Sequence, residues 1–327
     1  MTGNHWAHAL KIRRFRFVSW RRCIVAGKRW WALLGFIWLW CLPLFAAGPA
    51  VLIVVAHPDD ESCFASTTYR IAKELGGDVD ELVITNGEGG YRYSTLAETY
   101  YGLPLRPLGS GRTRLAEIRK QELLNAGRIL GIREFFFFGQ PDLGYTENIQ
   151  EALAAWDQKL IAQRLNQILT NRHYDFVLTL FPNAGTHGHH KAATMFALQS
   201  VASLPGQKPV VLGCQNSSPQ TEGKLQWTIA KGMPPAPLVD SSPFTFDRTS
   251  KFGFRDGLNY QIIANWEIAE HKSQGRLQAD INRYEREEFL IFDVSGPEAL
   301  AKTRRLFEQL APILATAGEP DNERKSQ

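Results

Sequence analysis

Ala50-Val-Leu-Ile-Val-Val-Ala-His-Pro-Asp-Asp-Glu61 begins with seven apolar residues, four of them β-branched, and then turns abruptly polar. An unbroken apolar run of that length reads as a strand buried on both faces, as in a parallel sheet. Residues 61–75 then show helical spacing and stop at Gly76-Gly77. A second strand over 81–85 runs into Asn86-Gly-Glu-Gly-Gly90. Residues 91–111, rich in Tyr, Gly and Pro, read as a long loop. Over 112–130, Leu115, Ile118, Leu123, Ala126, Ile129 and Leu130 make one helix face, ended by Gly131. Strand patterns follow at 134–138, 175–181 and 210–213, with an amphipathic helix over 150–170 and another starting near His190. From 215 to 260 the pattern degrades into Pro, Ser, Gly and aromatics, an insertion or antiparallel hairpins. Helix returns over 265–286 and 297–313, with a strand at 288–294 between them. The alternation predicts an α/β fold: a Rossmann-like, mainly parallel sheet with helices on both faces, preceded by an N-terminal apolar helix. No internal repeat or low-complexity tract is present.

The 327 residues are 44% hydrophobic and 21% charged, enough apolar material for a buried core. Four cysteines, none in a CxxC pair, exclude a disulfide scaffold and a thiolate zinc ribbon. The net charge of +4 is unevenly spread. Of 37 basic residues eight lie within residues 1–29, before the first acid at Asp59, so the rest carries 29 basic against 33 acidic side chains. A nucleic-acid partner is therefore not expected, because a binding domain should itself be basic.

Residues 30–47 are uncharged, and six of the nine tryptophans lie in this head. Eighteen helical residues span about 27 Å, barely a bilayer. Residues 1–48 are thus expected to be a signal peptide, with Pro43 breaking the helix and small residues at 46–48, or an uncleaved membrane anchor. Both readings place the body, residues 49–315, outside the cytoplasm, periplasmic, extracellular or membrane-anchored. Arg13-Arg14 makes a poor twin-arginine match, and Cys41 lacks the small residues that precede a lipidated cysteine. In an exported body only Cys63 and Cys214 remain to pair, and sequence does not show that they meet. Residues 316–327 read as a disordered tail.

In open α/β sheets, ligands bind beyond the carboxyl ends of the strands. The first strand is followed by His57-Pro-Asp59-Asp60-Glu61, and the strand ending at Phe181 by His187-Gly-His189-His190. Two imidazoles and a carboxylate with an open position make a catalytic zinc site. A His at the strand end and an Asp three residues on can turn to one point, leaving the adjacent Asp free as a base. The plainer alternative is that Asp-Asp-Glu caps a helix and the histidines form a solvated loop. The glycine-rich segments at 87–90 and 109–113 lack the spacing and the lysine of nucleotide-phosphate loops.

Ala56-His-Pro-Asp-Asp-Glu61 resembles the signature of the PIG-L/LmbE-type zinc N-deacetylases. The resemblance extends over roughly residues 50–300: Thr85-Asn-Gly-Glu-Gly-Gly90, Arg119-Lys-Gln-Glu122, Asp142, residues 187–190 followed by Ala192, and His271-Lys-Ser-Gln274. It implies one Zn2+ per chain, or another divalent metal, held by His57, Asp60 and His190. It further implies Asp59 as general base, His187 as an imidazolium stabilising the oxyanion, and Arg119 and Asp142 as holders of substrate hydroxyls. The plain readings of the last two are a surface salt bridge with Glu122 and an ordinary turn Asp. Glu88 and His271 read as structural. The family often has Pro-Asp between its two histidines, where this chain has Gly188 and His189. Either another acid then orients His187, or its pKa is lower; a register with His189 as the ligand is the alternative.

The implied activity is removal of an acetyl group from an N-acetylated sugar or amino-sugar conjugate, with Tyr91, Tyr93, Tyr100 and Tyr101 as a candidate sugar platform. The rivals are a zinc amidase acting on a larger amide and an exported, inactive glycan-binding protein. The partners expected are the glycoconjugate substrate and, if the head is uncleaved, the membrane.

Overall fold

The computed structural model describes residues 48–311 except 222 and 234–236. The basic, apolar head and the polar tail, with the expectations that fall on them, lie outside the described residues. Among the described residues, no helix is long and apolar enough to cross a membrane.

The described residues contain nine strands: β1 Ala50–Val55, β2 Asp78–Thr85, β3 Glu134–Gln140, β4 Phe176–Leu180, β5 Val210–Ser217, β6 Phe244–Asp247, β7 Lys251–Phe252, β8 Leu258–Asn259 and β9 Arg286–Ile291. Seven form one sheet in the order β3-β2-β1-β4-β5-β9-β6, and β7 and β8 pair separately. β1 to β5 are mutually parallel, and β9 runs antiparallel to both β5 and β6. The parallel sheet with an antiparallel strand near one edge matches the expected class.

The helices are α1 Ala65–Tyr69, α2 Thr95–Tyr101, α3 Ser110–Leu130, α4 Ile149–Ala155, α5 Gln158–Asn171, α6 Gly188–Ser203, α7 Tyr260–Glu270, α8 Gly275–Gln278 and α9 Ala299–Leu310. β1 shows why its sequence is apolar throughout. Leu52 and Val54 pack into a core with Ile161 and Leu165 of α5 and Phe196 and Val201 of α6. Val51, Ile53 and Val55 pack the opposite way, against Leu123 of α3, Ile263 of α7 and Leu306 of α9. Alternate side chains of one strand thus enter two cores, and neither face leaves room for a polar residue.

Three expected elements differ. The expected loop over 91–111 contains a 3-10 turn, Glu88–Tyr93, and α2. The helix expected over 150–170 is broken: Trp156 is extended with its indole N–H on Pro141 O, and the Asp157 side chain caps α5 by accepting from Leu160 N at 2.9 Å. The helix expected over 265–286 starts earlier and stops at Glu270, where the following residues turn inward to buried partners. Strand order reverses between β1 and β4, so their carboxyl ends flank the crevice where such sheets bind ligands.

Candidate active site

Both sequence motifs arrive at that crevice. After β1 the chain turns through His57 and Pro58, with Thr85 N and Oγ1 both donating to Ala56 O (2.9 and 2.8 Å), and enters a 3-10 turn at Asp60. Asp60 Oδ2 accepts the backbone N–H groups of Ala56 (3.0 Å) and His57 (2.8 Å), so the carboxylate is aimed by its own loop. From β4, a loop delivers residues 187–190 to the first turn of α6. Buried Lys191 anchors it by donating to Glu147 O and Ala184 O, 2.8 Å each.

His57 Nδ1, His190 Nε2 and the Asp60 carboxylate face one another. The edges are 3.2 Å between the two nitrogens, 3.0 Å from His190 Nε2 to Asp60 Oδ1 and 3.5 Å from His57 Nδ1 to Asp60 Oδ2. The outer nitrogens are held separately, His190 Nδ1 against Thr186 Oγ1 at 3.2 Å and His57 Nε2 against His189 Nδ1 at 3.0 Å. One nitrogen inward and one fixed outward is how ligating imidazoles are oriented. The donor set, two imidazoles and one carboxylate with the remaining side open to a cleft, fits a divalent ion such as zinc. The electrostatics agree. Burial works against charge on Asp60, yet His190 and His57 hold its carboxyl well below the usual range. Burial opposes charge on His57 too, but the Asp60 and Asp142 carboxylates raise its pKa. This is a centre that favours positive charge.

His57, His187 and His189 also lie close enough to share an ion. That group has no carboxylate, and His187 Nδ1 already accepts the backbone N–H of His189 at 3.0 Å. His189 is fully buried, with its ring tilted over Trp156 at 5.1 Å, and faces His57 and Asp142 rather than the cleft.

Asp59 and His187 line the same cleft of about 170 Å3, with Tyr93, Tyr145 and Gln274. Burial raises the Asp59 carboxyl pKa, against the opposing pull of Arg119. Because Nδ1 of His187 accepts a backbone N–H, its proton sits on Nε2 and the ring is neutral. Burial and the neighbouring imidazoles push its pKa down to about 2. A metal cation nearby would push it the same way. Of the two alternatives left by the missing family Asp, this arrangement favours a lowered His187 pKa. Among the described residues no acid pairs with His187 in place of the missing family Asp; Asp142 Oδ1 points to His189 Nδ1 (3.5 Å) and His57 Nε2 (3.9 Å).

Arg119 and Asp142 border the cleft but are committed to the chain. Arg119 donates to Gly87 O at 2.6 Å and to Pro58 O, and pairs with Asp59 Oδ1 at 2.9 Å. The surface pair with Glu122 does not form; Glu122 accepts instead from Ser273 N, Ser273 Oγ and Tyr101 OH. Asp142 accepts from Gly89 N (3.0 Å) and Gly144 N (2.8 Å), and Glu88 accepts from Asp142 N (3.1 Å), a structural role as expected. The glycines of this turn have a steric reason: a Cβ at Gly89 would lie 2.3 Å from Asp142 Oδ1.

Of the four candidate platform tyrosines only Tyr93 lines the cleft. Tyr91 lies under the Arg112 guanidinium, and Tyr101 is tied to Glu122. Tyr145, which no motif marks, stands edge-on to His187 at 5.2 Å. Cys63 and Cys214 are free thiols that do meet: Cys214 Sγ donates to Cys63 O at 3.4 Å. Sequence reading also missed a buried group, Glu61, Glu81, Glu267 and His271. The available signal was two glutamates beside apolar residues, Glu81 before Leu82-Val-Ile84 in β2 and Glu267 between Trp266 and Ile268 in α7.

A probable N-acetyl-alpha-D-glucosaminyl L-malate deacetylase 2 of Bacillus cereus is 25% identical over 162 residues, 49% of this chain and 65% of that protein. A 1D-myo-inositol 2-acetamido-2-deoxy-alpha-D-glucopyranoside deacetylase of Kineococcus radiotolerans is 27% identical over 204 residues, 55% of this chain and 50% of that protein. The matches thus span about half to two thirds of these relatives. Among solved structures, the N,N'-diacetylchitobiose deacetylase of Pyrococcus horikoshii aligns with a TM-score of 0.47 at 17% identity, covering 80% of this chain and 91% of that one. Residues 52–201, which carry most of β1, all of β4 and both histidine segments, match the family described as PIG-L, GlcNAc-PI de-N-acetylase.

Proposed function

We propose that the protein is a metal-dependent hydrolase that removes the acetyl group from an N-acetylated sugar or amino-sugar conjugate. The observation that carries this reading is the convergence of His57 Nδ1, Asp60 and His190 Nε2 beside Asp59 and His187 in one cleft. The deacetylase names of the relatives support the substrate class.

His57, Asp60 and His190 would hold the ion. A zinc ion held there supplies Lewis-acid polarisation of the acyl oxygen and makes a water acidic enough to attack near neutral pH. Asp59 takes the proton of the attacking water. Its carboxylate is kept from turning away by Arg119, and its raised pKa suits a group that accepts a proton and then returns it. His187 Nε2–H donates to the carbonyl oxygen as negative charge builds. A preplaced donor of this kind contributes about 3 kcal/mol to the transition state. Asp59 then hands its proton to the departing nitrogen, releasing acetate and a free amine. Tyr93 and Tyr145 form the cleft wall against which a sugar ring would pack.

The uncharged, tryptophan-rich segment behind a basic head supports a body located outside the cytoplasm, acting on an envelope or extracellular glycoconjugate. The test is metal content of the purified full-length chain, with acetate release measured from N-acetylglucosamine and N,N'-diacetylchitobiose. About one zinc per chain, lost with activity in His57→Ala, supports the reading; a chain that binds no divalent metal after reconstitution refutes it.

A further inference from the structure

Beneath the loop that carries Asp59 lies a second cluster of ionisable side chains closed to solvent. Glu61, Glu81, Glu267 and His271 are each 0% exposed. His271 Nε2 lies 2.7 Å from Glu61 Oε1 and 3.0 Å from Glu267 Oε1. An ion at bond lengths near 2.1 Å would hold its ligand atoms about 3 Å or more apart. The short edge is a hydrogen-bond length instead. Burial pushes the Glu81 carboxyl well above its ordinary value and Glu267 up to about 8. Burial disfavours charge on His271, but the facing Glu61 and Glu267 carboxyls outweigh it and raise its pKa well above the ordinary value. The shortest contact in the cluster is that of His271 Nε2 with Glu61 Oε1.

The other oxygen of Glu61 reaches the candidate base. Glu61 Oε2 accepts the backbone N–H of Asp59 at 2.9 Å. Asp59 needs such a partner, because its φ is +125°, a conformation that L residues avoid. Holding a residue there costs on the order of 1–3 kcal/mol. Two residues beyond His271, Ser273 grips Glu122, which lies one turn along α3 from Arg119, the residue on the Asp59 carboxylate. One turn after α7 thus supports Asp59 from both sides. We propose that His271 is a positioning residue for Asp59, acting through Glu61. The proposal rests on the reading of Asp59 as the general base.

The test is a double-mutant cycle in the full-length protein. It compares wild type, Asp59→Asn, His271→Gln and the double variant by acetate release from N,N'-diacetylchitobiose, with metal content and thermal midpoint measured for each. A base displaced by up to an ångström loses about 10- to 100-fold in rate. We expect His271→Gln to lower kcat by that factor, with KM within twofold and metal retained. In the Asp59→Asn background the same change should alter the residual rate less than twofold, because coupled residues are not additive. An equal loss in both backgrounds, or a loss that tracks metal content, overturns the proposal. If His271→Gln does not fold, Glu61→Gln replaces it. That variant keeps an oxygen for Asp59 N–H while changing the carboxylate that faces His271, and a smaller kcat loss is expected. Hydrogen exchange of the Asp59 amide separates the two failures. Faster exchange in His271→Gln together with an active Asp59→Asn would sink the base assignment while leaving the structural link. Unchanged exchange sinks the link itself.

Discussion

Replacing Arg119 by Met separates a residue that holds the site from one that holds substrate. Methionine keeps most of the apolar volume but removes the guanidinium. Pro58 O then loses the Arg119 donor, at about 1–3 kcal/mol for a buried carbonyl left unpaired. Gly87 O keeps the N–H of Gly90, so the second lost bond costs less, about 1 kcal/mol. The Asp59 pair borders the cleft, with the Asp59 side chain 19% exposed, and solvent screening discounts it. Such a pair adds at most about 1 kcal/mol. The sum is a destabilisation of about 3 kcal/mol, read by urea denaturation as a midpoint lower by about 1 M. Asp59, no longer held, should cost kcat about tenfold or more while KM changes little. A variant within about 0.5 kcal/mol of wild type whose only defect is a raised KM would refute this reasoning. It would restore Arg119 to the role the family resemblance implies, contact with a substrate hydroxyl.

Further outcomes follow from the same contacts. His190→Ala should lose the metal and His189→Ala should keep it, measured as ions per chain; the reverse would move the ligand to His189. Gly89→Ala forces a methyl against Asp142 and should cost about 1–3 kcal/mol in thermal or chemical denaturation. Wild-type stability in that variant would mean the turn is not so constrained. Buried Asp80 has its carboxyl pKa lowered: burial opposes this, but Arg133, Tyr174 and Arg172 outweigh it. A depressed folded pKa gives stability that is present above the unfolded value and lost as pH falls through the folded one. Asp80→Asn should therefore destabilise at pH 7, with the difference from wild type shrinking below about pH 4. A deficit that persists unchanged at pH 2 would contradict this.

What could be read from the chain differed by region, for physical reasons. β1 and β4 were legible because strands buried on both faces tolerate no polar residue. The site residues were legible because they follow those strands directly, where a sheet of this class opens. The plain reading of Arg119 as a surface pair with Glu122 failed, because a basic residue on a helix looks solvated until the partner loops are placed around it. The link from His271 through Glu61 to Asp59 joins residues more than 200 positions apart, and no local pattern encodes it. The break at Trp156 was within reach, since Asp157 is a good helix cap, but the apolar spacing on either side runs through it. The neutral state of His187 depends on one backbone N–H, which a motif does not display.

The most direct test of the account uses Asp59→Ala beside wild type, with zinc counted per chain and acetate release measured on the same preparations. About one zinc is expected in each protein, and acetate from an N-acetylated sugar only in the wild type. Zinc lost from the variant, or acetate released by it at the wild-type rate, would contradict the division of labour between Asp60 as ligand and Asp59 as base.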